Sequence, residues 1–188
     1  MPITLGDTSI TGLGVGGLPN GVVNADNIAT GAITRAKMGY AGAVLQTIQS
    51  DTTGVVSFTN SNGSFFTFSI TPTLASSKVL ISGNFIWGGD NPNGYFTLER
   101  SIGGGSYSVI SNIAGYDESL SGGQTWNAPV NYLDSPNTTS TVTYRIFWYH
   151  VIQNGGTMYL NRNYANDTLG LYSDRTGRTV FITQEIAV

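Results

Sequence analysis

The sequence predicts an all-β protein: an antiparallel, jelly-roll-like β-sandwich preceded by an extended, glycine-rich N-terminal arm. Three observations carry that expectation. Beyond about residue 43, apolar and polar residues alternate with period two in short runs, as half-buried strands do. Clusters of Gly, Asn, Pro and Ser punctuate those runs, and each such residue favours a turn for its own backbone reason. Composition also changes near Gly42: nine glycines fall in the first 42 residues, where Tyr40 is the only aromatic. The expected division is therefore an arm over 1–42 and a sandwich over 43–188.

The arm contains a short repeat. Gly21-Val22-Val23-Asn24-Ala25-Asp26-Asn27-Ile28 realigns ten residues later with Gly31-Ala32-Ile33-Thr34-Arg35-Ala36-Lys37-Met38. Val23, Ile28, Ile33 and Met38 are too few and too widely spread to bury one another within one chain. A unit that leaves its apolar face bare must stack on a neighbour. These four residues are therefore expected at an oligomer interface, with three arms around one axis.

The strands follow in order. Val44 to Gln49 and Val55 to Thr59 flank Ser50-Asp51-Thr52-Thr53-Gly54. Ser64 to Thr71 sets Phe66, Phe68 and Ile70 on one face and Thr67, Ser69 and Thr71 on the other, and Pro72 ends it. Val79 to Ile86 comes next, then the turn signal Asp90-Asn91-Pro92-Asn93-Gly94 leads into Tyr95 to Arg100. Gly103-Gly104-Gly105 makes a hairpin into Tyr107 to Ile113. Gln124 to Leu133 contains Pro129, which lacks the ladder N–H and belongs at an edge or a bulge. Thr141 to Ile152 is the longest run; Gly155-Gly156 then turns into Thr157 to Arg162, a further segment spans Tyr164 to Tyr172, and Arg178 to Ile186 closes the chain. About ten strands at this spacing fit a sandwich. The run at 141–152 is apolar on both sides, with Tyr144, Ile146 and Trp148 against Phe147, Tyr149 and Val151. A lone sandwich should leave one side wet, so Phe147 and Tyr149 are expected at a subunit interface.

Charge narrows the function. Asp, Glu, Lys and Arg make up 10% of the chain, and the net charge is −3. Ordinary soluble domains carry roughly 25%. A surface so poor in charge repels neighbours weakly, which suits a subunit of an assembly. Lys78, Arg100 and Arg145 are the only cations between Lys37 and Arg162, so no basic footprint for nucleic acid exists. The absence of cysteine excludes disulfides and thiolate metal sites. Met1-Pro2-Ile3-Thr4-Leu5-Gly6-Asp7 lacks the basic residue and apolar run of a signal peptide. No stretch approaches a membrane span, and membrane insertion is not expected.

Several motifs then resemble a known class. Ile10-Thr11-Gly12-Leu13-Gly14, the run Gly31 to Met38, the segment Ser69-Ile70-Thr71-Pro72-Thr73-Leu74-Ala75-Ser76-Ser77-Lys78-Val79-Leu80-Ile81 and the ending Gln184-Glu185-Ile186-Ala187 together look like short fibre-type virion proteins of tailed bacteriophages. The resemblance touches both halves of the chain through degenerate motifs. It implies a homotrimeric fibre or knob, located on the virion after assembly in the host cytoplasm. The arm would dock to other virion proteins and the β domain would be exposed. It does not distinguish tail from head, and it carries over no binding residue.

Chemical motifs weigh against catalysis. Gly12-Leu13-Gly14-Val15-Gly16-Gly17 has the letters of a dinucleotide fingerprint but not the strand before and helix after that the mechanism needs. No cofactor is expected. His150 is the only histidine and has no nucleophile elbow in the sequence; with no cysteine beside it, no metal site is expected either. Asp90-Asn91-Pro92-Asn93-Gly94 places proline where a calcium ligand belongs. Asp117, Glu118, Asp167 and Asp174 are the candidates for glycosidase carboxylates, and scattered solvated acids explain them equally well.

The loops offer a binding chemistry instead. Trp87, Asp90, Asn91, Tyr116, Asp117, Trp126, Asn163, Tyr164 and Asp167 combine aromatic faces with amides and carboxylates, the mixture that holds sugars. The expected function is a non-enzymatic, homotrimeric fibre or spike-like subunit that binds a host-surface glycan. The alternatives are a capsid decoration protein that stabilises the head and, third, a polysaccharide-degrading appendage.

Overall fold

The structure, a computed structural model, describes residues 4–5, 10–11, 41–90, 93–116, 125–151, 156–162 and 177–188. The chain divides into two compact units, Met1–Gly39 and Tyr40–Val188, three residues before the division expected from composition. In the first unit β1 (Thr4–Leu5) pairs antiparallel with β2 (Ile10–Thr11). The arm residues Val23, Ile28, Ile33 and Met38 lie outside the described residues.

Among the described residues, the second unit has ten strands in two antiparallel sheets. They are β3 (Val44–Thr52), β4 (Ser57–Thr59), β5 (Gly63–Ile70), β6 (Lys78–Asp90) and β7 (Gly94–Ile102). The rest are β8 (Ser108–Tyr116), β9 (Thr125–Asp134), β10 (Val142–His150), β11 (Thr157–Leu160) and β12 (Thr179–Ile186). One sheet has four strands in the order β5-β10-β7-β8; the other runs β3-β12-β6-β11-β4, with β9 also on β6.

The longest strand is β6, with 13 residues, and not the run at 141–152, where β10 stops at His150 after nine. The strand expected over Val79 to Ile86 runs on through Gly88 and Gly89, Gly88 facing Tyr159 and Gly89 facing Met158 of β11. One edge of β6 carries β9 from Val79 to Gly88. Its other edge carries β12 up to Asn84 and β11 from Trp87 onward, so these two lie end to end. Pro129 sits on β9, which pairs with β6 alone among the described strands, and an edge position tolerates its missing N–H.

Alternation puts one face of each sheet into a shared core. Phe68 of β5 stacks on Phe181 of β12, centroids 4.8 Å apart, and Phe85 of β6 meets Phe96 of β7 edge-on at the same separation. Phe65, Leu98, Val130, Ile146, Trp148 and Leu160 belong to the same cluster. Burial of this many large side chains, at about 25 cal/mol per Å² of apolar surface, is the main stabilising term of the unit. A register shift in β10 against β5, between Ile146 and Phe147, lets both Phe65 and Phe66 join the interior side.

Two buried polar side chains in the sandwich, Asp134 and Asn161, are held by several hydrogen bonds each. Asp134, at the end of β9, accepts from Arg100 Nη1 at 2.7 Å and from the Tyr144 hydroxyl at 2.8 Å, which ties the two sheets together. Burial first, and the Asp134 carboxylate second, push the Tyr144 phenol far above its ordinary range. Asn161, wholly buried, takes a left-handed backbone with φ of 57°. Its amide donates to the carbonyls of Thr52 and Gly54, its side-chain oxygen accepts from Thr179, and its backbone N–H reaches the Ile86 carbonyl at 2.7 Å. Asn tolerates this conformation better than most residues.

Candidate functional site

The outward face of the four-stranded sheet holds the most organised polar cluster among the described residues. Alternation turns Tyr95, Thr97 and Glu99 of β7 outward, opposite Tyr149, Phe147 and Arg145 of β10 in the ladder. A carboxylate on an outer face would ordinarily be wet. Glu99 is only 2% exposed.

Its neighbours supply the cover. Arg145 grips Glu99 through Nε at 2.7 Å and Nη2 at 2.6 Å, both on Oε2. The guanidinium lies over the rings of Tyr107 and Phe147, 3.9 and 4.1 Å from their centroids, so cation–π attraction adds to the ion pair. The other carboxylate oxygen accepts from the Tyr149 hydroxyl at 2.8 Å and from Thr97 at 3.3 Å. That hydrogen bond, with lesser help from burial, raises the Tyr149 phenol above its usual value and keeps it a donor. Tyr149 in turn stacks on Tyr95, centroids 5.1 Å apart and rings 16° from parallel.

Beside this cluster lies an open depression of about 500 Å³, lined by Tyr95, Asn112, Ile113, Ala114 and Gly115. A smaller cleft of about 110 Å³ continues from Asn112 and Ile113 to Val130 and Asn131 of β9. The opposite outer face, on the six-stranded sheet, is built differently. It pairs neutral groups, Ser82 with Asn131 at 2.8 Å and Gln184 with Thr47 at 3.2 Å, around a 39% exposed Ile182.

Of the nine sugar-binding residues expected from sequence, four fall among the described residues: Trp87, Asp90, Tyr116 and Trp126. Trp87 is no loop residue: it lies on β6, 5% exposed, with its ring against Phe96 and stacked on Trp126. Period two continues past Ile86 and turns this indole into the core, which corrects its assignment to a binding loop. Trp126, half-buried on β9, faces Trp87 across the ladder and stacks on it at 5.1 Å. Asp90 and Tyr116 end β6 and β8. Asn91, Asp117, Asn163, Tyr164 and Asp167 lie outside the described residues. Phe147 and Tyr149 do face outward from β10, but both are half-buried, and part of the cover is the chain's own Arg145 and Tyr95.

Sequence reasoning passed over Glu99, Arg145, Asp134 and Glu185. A signal existed: in a chain with so few charges, each sits within or at the end of a predicted strand, where a charge must be paired. Glu185, wholly buried, accepts from Gln46 at 2.6 Å, from the Thr73 and Leu74 amides at 2.8 and 3.1 Å, and from the Thr73 hydroxyl at 2.9 Å. His150 lies at the end of β10, its Nε2 buried without a hydrogen-bond partner among the described residues. No group of three or more His, Asp or Glu side chains able to hold a metal occurs among the described residues.

No protein-family model matches the chain, and no curated protein matches it either. Solved structures to which it is similar include infectious bursal disease virus Gx strain, at 12% identity and a TM-score of 0.40, over 76% of this chain and 37% of that one. Another is the VP2 subviral particle of infectious bursal disease virus, at 13% identity and 0.39, again over 76% and 37%. This chain thus spans little more than a third of their length, and a likeness so faint assigns no family.

Proposed function

We propose that this chain is a non-enzymatic structural virion protein of a tailed bacteriophage, a homotrimeric fibre or spike-like subunit. Residues 1–42 attach it to other virion proteins, and the β domain meets a host-surface glycan. The carrying observation is the fate of the buried carboxylates. Glu99, Asp134 and Glu185 each spend their acceptor sites on structural partners, with Arg145, Arg100 and Gln46 at 2.6–2.7 Å. A general acid or nucleophile needs an accessible, unspent carboxyl. These carboxylates instead make the domain rigid, as a subunit exposed on a particle requires. The low charge of 10% favours close packing of copies.

Sedimentation equilibrium of the purified protein tests the assembly: the expected mass is three times the 19.9 kDa of one chain, and a stable monomer overturns the reading. Antibody labelling of intact particles separates a fibre, found on tails or as a projection, from a protein spread evenly over the head.

A further inference from the structure

Resting on the reading that the β domain meets a glycan, we propose that the sugar subsite is the depression beside β8, walled by Tyr95 and Asn112, and that it takes a neutral hexose chain. Its volume of about 500 Å³ lies within the ~300–1,000 Å³ usual for small-ligand sites. Tyr95 is 39% exposed, so its ring offers apolar surface to the C–H face of a pyranose. That ring is held before any ligand arrives. It stacks on Tyr149, which is tethered to Glu99, which is clamped by Arg145. An aromatic anchor already immobilised loses little rotamer entropy on binding.

The remaining lining fits the same chemistry. The Asn112 side chain, exposed beside the depression, carries both donor and acceptor, which sugar hydroxyls demand. The described lining residues bear no charge, and the ion pair that anchors Tyr149, Glu99 with Arg145, is internally neutralised. That selects a neutral sugar over a sialylated or phosphorylated one. The backbone of β8 points the same way. Its register against β7 shifts twice, between Phe96 and Thr97 and between Leu98 and Glu99. Such bulges collect at sheet edges and binding sites, where they re-aim side chains. Gly115 stands opposite Tyr95 in the ladder, and an added Cβ there would meet only the Tyr95 Cβ, at 3.8 Å. The backbone does not require glycine at this position; its missing side chain leaves the space open.

The test uses the full chain and ligand-observed saturation-transfer NMR with neutral gluco-, galacto- and manno-configured trisaccharides. We expect at least one to receive saturation, and Tyr95→Ala, Asn112→Ala and Gly115→Leu each to reduce the effect at least about fivefold, as loss of a stacked ring or filled space should. Gly115→Leu is the decisive variant because the backbone accepts a Cβ. Circular dichroism and the sedimentation mass should match the parent. Binding retained in Gly115→Leu but lost in Asp117→Ala and Tyr164→Ala keeps the glycan reading and overturns this subsite. No saturation from any sugar overturns the subsite, while the trimer measurement judges the structural reading independently. A Gly115→Leu protein that falls apart into monomers overturns the inference in favour of a contact between copies.

Discussion

Glu99 and Glu185 are buried almost equally, at 2% and 0% exposure, but by opposite means. Glu99 lies under a guanidinium pressed between two rings, so its charge is met by a charge. Glu185 receives a neutral amide, two backbone N–H groups and a hydroxyl. The contrast shows that a β-sandwich with few cations has two ways to keep a carboxylate inside. A counter-ion gives strong attraction but leaves a costly orphan if removed. A ring of neutral donors spreads the same duty over several weaker bonds.

The largest effect that would sharpen this contrast is removal of the counter-ion. Arg145→Met leaves Glu99 buried and unpaired, with an expected loss of about 3–5 kcal/mol in urea unfolding. Adding Glu99→Met should restore most of it; a double variant no better than the single one breaks the distinction. Next, Glu185→Ala strands several donors and should cost roughly 2–3 kcal/mol, whereas Glu185→Gln retains a carbonyl acceptor and should lose about half of that.

The acid limb of stability gives a smaller but more specific signal. Burial pushes the Glu185 carboxyl up, yet the bonds from Gln46, Leu74 and Thr73 outweigh it and hold it below the ordinary range. A depressed carboxyl contributes stability above its unfolded value, about 4.3, and loses it as pH falls through the folded value. The urea midpoint should therefore decline as pH drops below that point, and less steeply in Glu185→Gln than in the parent. Equal slopes would mean that Glu185 is not the group responsible. Smallest of all is the surface pair Arg178–Asp51, 2.7 Å apart, where the guanidinium hydrogen bond lowers the Asp51 carboxyl. Arg178→Ala should leave the unfolding midpoint within experimental error, because solvent screens such pairs.

Much of the fold was legible because its signals are local. Phe66, Phe68 and Ile70 alternate with Thr67 and Ser69, and Pro129 announced an edge. The length of β6 was hidden by Gly88 and Gly89, residues that punctuate turns elsewhere but here continue a ladder set by β9 and β11. The same misreading sent Trp87 to a binding loop. The polar clusters were illegible for a different reason. Glu99 and Arg145 are 46 residues apart, and only the β7–β10 register brings them together. Trp126 looked like a loop aromatic because its partner, Trp87, is likewise met only across a ladder.

Asn161 has a mechanical consequence. β12 releases β6 at Asn84 and β11 takes it up at Trp87, so the edge of the longest strand is spliced from two separate pieces. The Asn161 N–H on the Ile86 carbonyl closes that joint, while its side chain fastens the abutting ends of both pieces to the Thr52–Gly54 bend. Tension drawn along β6 is thereby shared across the splice, and the sheet resists shear as one plate instead of tearing at its seam.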